Sequence, residues 1–255
     1  MPKGSSSGGA GGGGRPAEGR PAPTGPTTPT GPVEKPPELD PSEMPTDKLF
    51  GDDPDVKPGG VLTGPGVKDS ELSPADRDAI SAYTGLKVDN GERFAGLNAE
   101  NLNKSLYDKQ GFIDELKLGG YTPSEISDLV KRAEAYKVEL NASLNKLKNY
   151  EGEVYRTIKD PGRGFVDKYV VGKPTRMDEF VSTSRATNPS YMPYHRAMNG
   201  KIRFKIQSKS GKMVENVSRF YEEREVLFRS GTKFMVRSKN YNADRGTWDI
   251  DLVEL

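Results

Sequence analysis

The stretch "RFYEEREVLFRSGTKFMV", residues 219–236, sets Glu222, Glu223 and Glu225 at the mouth of a run that otherwise asks to be buried. Read as a hydrophobic strand pair, it places Glu223 and Glu225 on one face, roughly 6 to 7 Å apart at about 3.3 Å per residue, with Glu222 and Arg224 on the other. Like charges so close repel, and burying them is costly unless a partner compensates. Two further segments hold groups able to bind or polarise a ligand. Arg156 lies in "GEVYRTI" on the face of Val154 and Ile158. A guanidinium there needs an anion, either a structural carboxylate or a ligand phosphate, for which its planar fork suits bidentate contact. "FVSTS" puts Ser182 and Ser184 on one strand face and Thr183 on the other. Each group also has an ordinary reading: an ion pair, strand hydroxyls, and glutamates that keep an edge strand soluble.

The elements that must position these groups are strands. After Tyr150 the chain reads as short strands with turns between them, at "EVYRTI", "KYVVG", "EFVSTS", "KIRFKIQ", "REVLF", "TKFMVRSK" and "TWDIDLVEL". Helices precede them. "LSPADRDAISAYTG" has Ser73 as N-cap, Pro74 at the first helical position and Gly85 as a stop. "NAENLNKSLYDKQGFIDELKLGG" reads as helical with an interruption at Gly111 and an end at Gly119. A capping box, Thr122 with Glu125, starts a long helix. Its apolar positions Ile126, Leu129, Val130, Ala133, Tyr136, Leu140, Leu144 and Leu147 keep helical spacing, so one face is committed to packing. A helical lobe followed by a strand-rich half predicts an α+β fold rather than alternating βαβ units. No glycine-rich phosphate loop opens a helix: "GGGG" lies near the start of the chain and "DPGRGF" connects strands.

Composition divides the chain. Mean hydropathy is -0.75 over 255 residues, too polar for one compact domain. Residues 1–66 hold 14 of the 20 prolines, 15 of the 29 glycines and one aromatic, Phe50, and are expected to form a disordered Gly/Pro-rich leader. Residues 67–255 have the size of one domain. The chain contains no cysteine, which excludes disulfides and thiolate metal sites, and its single histidine, His195, argues against zinc or a Ser-His triad. No apolar run approaches the roughly 18 residues of a membrane span, and "MPKGSSSGG" lacks the apolar region of a secretory signal, so export is expected to use another apparatus. Net charge is +1, yet residues 196–239 carry 12 Lys/Arg against 4 Asp/Glu. That excess suits a phosphate-bearing ligand or a solvated face of basic strands.

Taken in order, "VYR" at 154–156, "FVSTS" at 180–184 and "EREVLF" at 223–228 resemble the Arg, Ser-Thr-Ser and Glu-x-Glu signature of mono-ADP-ribosyltransferase toxins related to clostridial binary-toxin enzymes and insecticidal NAD-dependent toxins. "EVLFRSGTKFMV" continues through a Gly-Thr and an apolar strand as that family does, and "DAISAYTG" at 78–85 looks like the start of its helical lobe. The resemblance covers roughly residues 70–255. It departs at Arg229 and Ser230, where the family often has prolines, and in "KVDNGERFAGLN", where the tyrosine and asparagine pattern is loose.

The resemblance implies an ADP-ribosyltransferase-like fold, a helical lobe packed on two facing, mostly antiparallel sheets that form an NAD cleft. It implies that Arg156 grips the phosphates of NAD, that Ser182, with Thr183 and Ser184, orders the site, and that Glu225 binds the ribose next to nicotinamide. Positive charge spreads over that ribose as the glycosidic bond breaks, and a fixed carboxylate stabilises it. Glu223 would orient an acceptor guanidinium and take its proton, which implies transfer to arginine, with NAD glycohydrolase activity on the side. Phe220 and Tyr221 match the family's substrate-recognition turn. "SRATNPSYMPYHRAMNG" resembles its loop over phosphate and nicotinamide, where Arg185, Tyr191 or Tyr194 would contact NAD. The expectation is a monomeric toxin or effector, secreted or injected into a target cell and acting in its cytoplasm on a protein arginine, with no membrane partner. A delivery apparatus and an immunity protein are conceivable partners. Two other readings stand beside it: transfer to RNA or DNA, and a non-catalytic module that binds NAD or a partner.

Overall fold

A computed structural model describes residues 60–85, 91–159, 164–185 and 200–255. Among the described residues four helices form the lobe: α1 (Pro74–Tyr83), α2 (Ala99–Tyr107), α3 (Lys109–Leu118) and α4 (Pro123–Lys146). Both predicted starts are capping boxes, in which the Ser73 and Thr122 hydroxyls accept from the N3 amides and the Asp76 and Glu125 carboxylates return to the cap amides. Asp76 does more than cap. Buried between α1 and α4, it accepts from Ser143 at 3.0 Å and from the Lys146 ammonium at 2.6 Å, fixing one helix across the other. The expected interruption at Gly111 falls at Asp108 instead. Its carboxylate accepts the Gly111 amide at 3.0 Å and starts α3, so Gly111 lies inside the first turn of a new helix.

The buried stripe of α4, Leu129, Ala133, Tyr136, Leu140 and Leu144, packs with Ile80, Leu102 and Phe112 of the other helices and with Phe180 and Leu227 from the sheet. Each such leucine or phenylalanine contributes about 1.5–3 kcal/mol when fully buried. A second core, including Val154, Phe204, Ile206, Phe228, Phe234, Ile250 and Leu252, lies among the strands.

Among the described residues eight strands share one hydrogen-bonded network: β1 (Val61–Thr63), β2 (Asn149–Ile158), β3 (Pro174–Met177), β4 (Val181–Ser184), β5 (Ile202–Met213), β6 (Glu225–Phe228), β7 (Thr232–Asn242) and β8 (Thr247–Glu254), in the order β1-β2-β4-β6-β5-β8-β7-β3. Pairing is antiparallel except for β5 with β8. Because β2 also pairs with β5, the strands β2, β4, β6 and β5 close on themselves. The two sheets expected from the sequence are thus joined through β2 and β5, and β4 and β6 are held from both sides. β1 comes from the last residues of the segment assigned to the leader and pairs with the start of β2.

Two strand assignments are corrected. "KYVVG" is not a strand: Phe165–Lys168 form a 3₁₀ turn, Val170 and Val171 are exposed, and β3 begins only at Pro174, beyond the turn at Gly172. The β-branched pair carries strand propensity but has no strand to pair with there. The second correction falls on Glu223 and Glu225, in the site itself. Among the described residues no helix is long and apolar enough to cross a membrane.

Candidate functional site

β4 and β6 carry the site. Their register sets Ser182 opposite Leu227, Thr183 opposite Val226 and Ser184 opposite Glu225. Strand alternation sends the Thr183 hydroxyl to the Val226 carbonyl, 2.5 Å away, where it clamps the pair. Ser182 and Ser184 lie on the other face. The Ser182 hydroxyl donates to the Glu225 carboxylate, and the Ser184 hydroxyl donates to the Glu223 carbonyl at 2.7 Å. Arg156, on β2, donates through Nη1 to the Ser182 carbonyl at 3.2 Å. The three motifs, distant in sequence, therefore meet at one place because β2 pairs with β4 and β4 with β6.

Glu223 and Glu225 do not share a strand face. Tyr221–Glu223 form a 3₁₀ turn, Arg224 takes a left-handed backbone (φ 48°, ψ 49°), and β6 starts at Glu225. The turn separates their settings. An extended chain would hold both at one spacing on one surface, whereas the turn leaves Glu223 half-buried in the same cleft and Glu225 5% exposed. Burial pushes Glu225 up to about 7, with the Ser182 hydrogen bond and the Arg156 charge opposing and Glu223 reinforcing the rise. A carboxylic acid with that value sits at the midpoint of its titration near neutral pH.

The cleft has a volume of about 350 Å³ and is lined by Ser182, Glu223 and Glu225 from the strands and turn, Ser218 and Phe220 from the segment before it, and the C-terminal end of α1. From α1 comes Tyr83, buried, whose hydroxyl accepts from Asn103 at 2.9 Å. Burial raises its phenol well above the ordinary range, and the Glu225 charge adds to the rise. Asn103 also donates to the Phe180 carbonyl at 3.0 Å and accepts the Phe180 amide at 2.9 Å, so it pins α2 to the residue just before β4.

Phe220 and Tyr221 stand at the turn with 37% and 46% of their surface exposed, and the Arg219 guanidinium lies 5.3 Å from the Phe220 ring centre. Arg185 is engaged elsewhere. Its guanidinium forms a forked ion pair with Glu215, with contacts of 3.0 and 3.1 Å, while its amide donates to the Arg224 carbonyl at 3.1 Å. Tyr191 and Tyr194 lie outside the described residues, as does the side chain of Glu222. Sequence reasoning does not find Tyr83, Asn103, Ser218 and Glu215 as parts of the site. Tyr83 has a usable signal, since it ends the predicted α1 one turn after Ile80. Asn103 has none, being one of three asparagines among residues 98–103 with nothing in the spacing to single it out.

Residues 132–255 match the family described as NAD:arginine ADP-ribosyltransferase. A Mycobacterium avium protein named as an NAD(+)–arginine ADP-ribosyltransferase, Mav, is 33% identical over 115 residues, which are 45% of this chain and 14% of that protein. The NAD(+)–protein-arginine ADP-ribosyltransferase Tre1 of Serratia proteamaculans is 30% identical over 119 residues, 47% of this chain and 23% of Tre1. The chain thus spans less than a quarter of the length of either relative. The crystal structure of the type III effector XopAI from Xanthomonas axonopodis pv. citri shares the fold, with a TM-score of 0.50 at 18% identity over 73% of this chain and 69% of that one. The matched segment contains β2, β4, the turn and β6, so the site lies within the part of the chain that is similar to the NAD:arginine ADP-ribosyltransferase family.

Proposed function

We propose that this chain transfers ADP-ribose from NAD to an arginine side chain of a target protein, releasing nicotinamide, and that it hydrolyses NAD slowly when no acceptor is present. The observation that carries the reading is Glu225, an almost fully buried carboxylate held by Ser182 in an open cleft and shared with a second carboxylate. A buried acid with no ion pair among the described residues makes poor structural sense and good chemical sense. NAD supplies an activated ribose whose N-glycosidic bond releases nicotinamide on cleavage. Glu225 holds negative charge where positive charge develops on that ribose, and its rigid setting means little reorganisation accompanies the step. Ser182 keeps Glu225 oriented and favours its ionised form. Arg156 offers a guanidinium to the phosphates, with Thr183 and Ser184 holding the strand and turn beneath. Glu223 accepts the proton that the acceptor guanidinium sheds as its nitrogen bonds to the ribose carbon, and Phe220 and Tyr221 present an apolar surface to the acceptor.

Protein arginine is favoured over RNA or DNA by the disposition of the basic residues. Within the excess at 196–239, Arg203 pairs with Asp249 and Lys205 lies 3.9 Å from both Glu153 and Asp251. Lys212 is buried and donates to the Leu147 carbonyl at 2.7 Å. Acidic residues from other strands offset the local charge, which leaves less of it for phosphates. Action inside a target cell, after secretion or injection, belongs to the same proposal.

The test incubates the full chain with NAD and agmatine, an arginine analogue, and follows nicotinamide release and ADP-ribosyl-agmatine, in parallel with Glu225→Gln. Both products should appear and both should vanish in the variant. NAD that stays intact while binding is measurable would select the non-catalytic reading instead. Nicotinamide release without agmatine modification, together with nuclease-sensitive label in a lysate, would move the acceptor to nucleic acid.

A further inference from the structure

Among the described residues ten have positive φ; nine are glycines and the tenth is Arg224, at 48°. An L-residue avoids that region because its Cβ crowds the neighbouring carbonyl oxygen, and it stays there only where the surroundings insist. At Arg224 they do. Its amide donates to the Tyr221 carbonyl at 3.2 Å, its carbonyl accepts the Arg185 amide at 3.1 Å, and the preceding carbonyl, of Glu223, accepts the Ser184 hydroxyl at 2.7 Å. The turn is thus bolted to the end of β4 on either side of the strained residue.

We propose that the left-handed backbone of Arg224, not its side chain, is a positioning device that sets Glu223 against Glu225 and so fixes the ratio of transfer to hydrolysis. The inference rests on the functional reading above. The two sides of Arg224 are anchored unequally. Glu225 belongs to β6, which pairs with β4 and β5, and its carbonyl accepts the Val214 amide at 3.1 Å. Glu223 lies in a short 3₁₀ turn, its amide donating to the Phe220 carbonyl at 2.9 Å and its carbonyl accepting the Ser184 hydroxyl. A residue that prefers the extended conformation at 224 therefore moves Glu223, drawing it toward the shared strand face that the sequence pattern suggests, and leaves Glu225 in place.

Three variants of the full chain separate the backbone from the side chain. Arg224→Gly and Arg224→Asn both discard the guanidinium and both accept positive φ, whereas Arg224→Val discards it and resists. With NAD and agmatine, Arg224→Val should lose tenfold or more in transfer while nicotinamide release without acceptor stays within about threefold of the parent. The glycine and asparagine variants should keep the parent's transfer-to-hydrolysis ratio within about threefold. In urea, Arg224→Val should unfold at a lower midpoint than Arg224→Gly. If the glycine and asparagine variants lose transfer as the valine variant does, the side chain matters and the proposal is overturned; loss of both activities in Arg224→Val overturns it as well. Equal urea midpoints for valine and glycine remove its conformational premise whether or not the parent modifies agmatine. A parent that releases no nicotinamide defeats the functional reading separately.

Discussion

β6 and the turn that leads into it each present one glutamate to the cleft, and they differ in what holds them. β6 is gripped on both edges by strands, and its Thr183 clamp and main-chain ladder leave Glu225 little freedom. The turn is a single 3₁₀ loop closed by a residue in a strained conformation, with Phe220 and Tyr221 partly in solvent. The difference suits the two tasks proposed for them. Stabilising charge on a ribose that always arrives in the same pose calls for a rigid, dry carboxylate; receiving a side chain from another protein calls for an accessible one on an adjustable element.

The comparison breaks most sharply at Glu225. Glu225→Gln keeps the volume and the hydrogen bond to Ser182 but removes the charge, so both transfer to agmatine and nicotinamide release should fall by about 10³-fold. Residual hydrolysis within tenfold of the parent would mean that Glu225 is not the charge-stabilising group. Glu223→Gln comes next. Transfer should drop by about 10²-fold or more for want of a proton acceptor, while nicotinamide release stays within about threefold. Equal losses in the two assays would dissolve the division of labour between strand and turn.

Much of the frame around this contrast is legible in the residues alone. The N-cap at Ser73, the capping box at Thr122, the buried stripe of α4 and the strands around "EVYRTI", "FVSTS" and "EVLF" appear where local chemistry puts them. Such signals are short-range, each satisfied within a few residues. The order of the three motifs carries the resemblance, but the strand pairing that brings Arg156, Ser182 and Glu225 together is a long-range fact that no window of sequence contains. "KYVVG" misleads because propensity without a partner strand is not a strand. Glu223 misleads for another reason. Strand alternation does not reach two residues back from the start of β6, and Arg224, unlike a glycine, gives no warning of a positive φ. Asn103 is invisible because its partners, Tyr83 and Phe180, lie 20 and 77 residues away.

Stability sharpens the same contrast. Glu225 is held above its ordinary value of 4.5, at about 7, chiefly by burial, so the folded state binds its proton more tightly than the unfolded chain. The stability this gives is fully present below about pH 4.5 and is lost as pH rises through about 7. Glu225→Gln, which never ionises, should therefore unfold with the parent at pH 4.5 and be more stable at pH 8, the rise setting a ceiling on the order of 3 kcal/mol. Urea unfolding at the two pH values measures it. A variant less stable than the parent at pH 8 would show that the ionised carboxylate is a net stabilising partner in the fold, in conflict with its burial.

The smallest effect tests the hydrogen bond between β4 and β6. Ser182 donates to Glu225 and so favours its ionised form, opposing burial. In Ser182→Ala the donor is lost, the carboxyl needs a higher pH to ionise, and the acid limb of nicotinamide release should move upward from about 7. A hydrogen bond to a charged group contributes about 1.5–3 kcal/mol, so the limb moves by roughly one to two pH units, and activity at pH 7 falls about tenfold or somewhat more. Activity at pH 9 should largely recover, because Glu225 is then ionised with or without its donor. That recovery separates tuning from architecture. If Ser182 mattered only for holding β4 against β6, its loss would lower the rate at every pH by the same factor and leave the limb where it was.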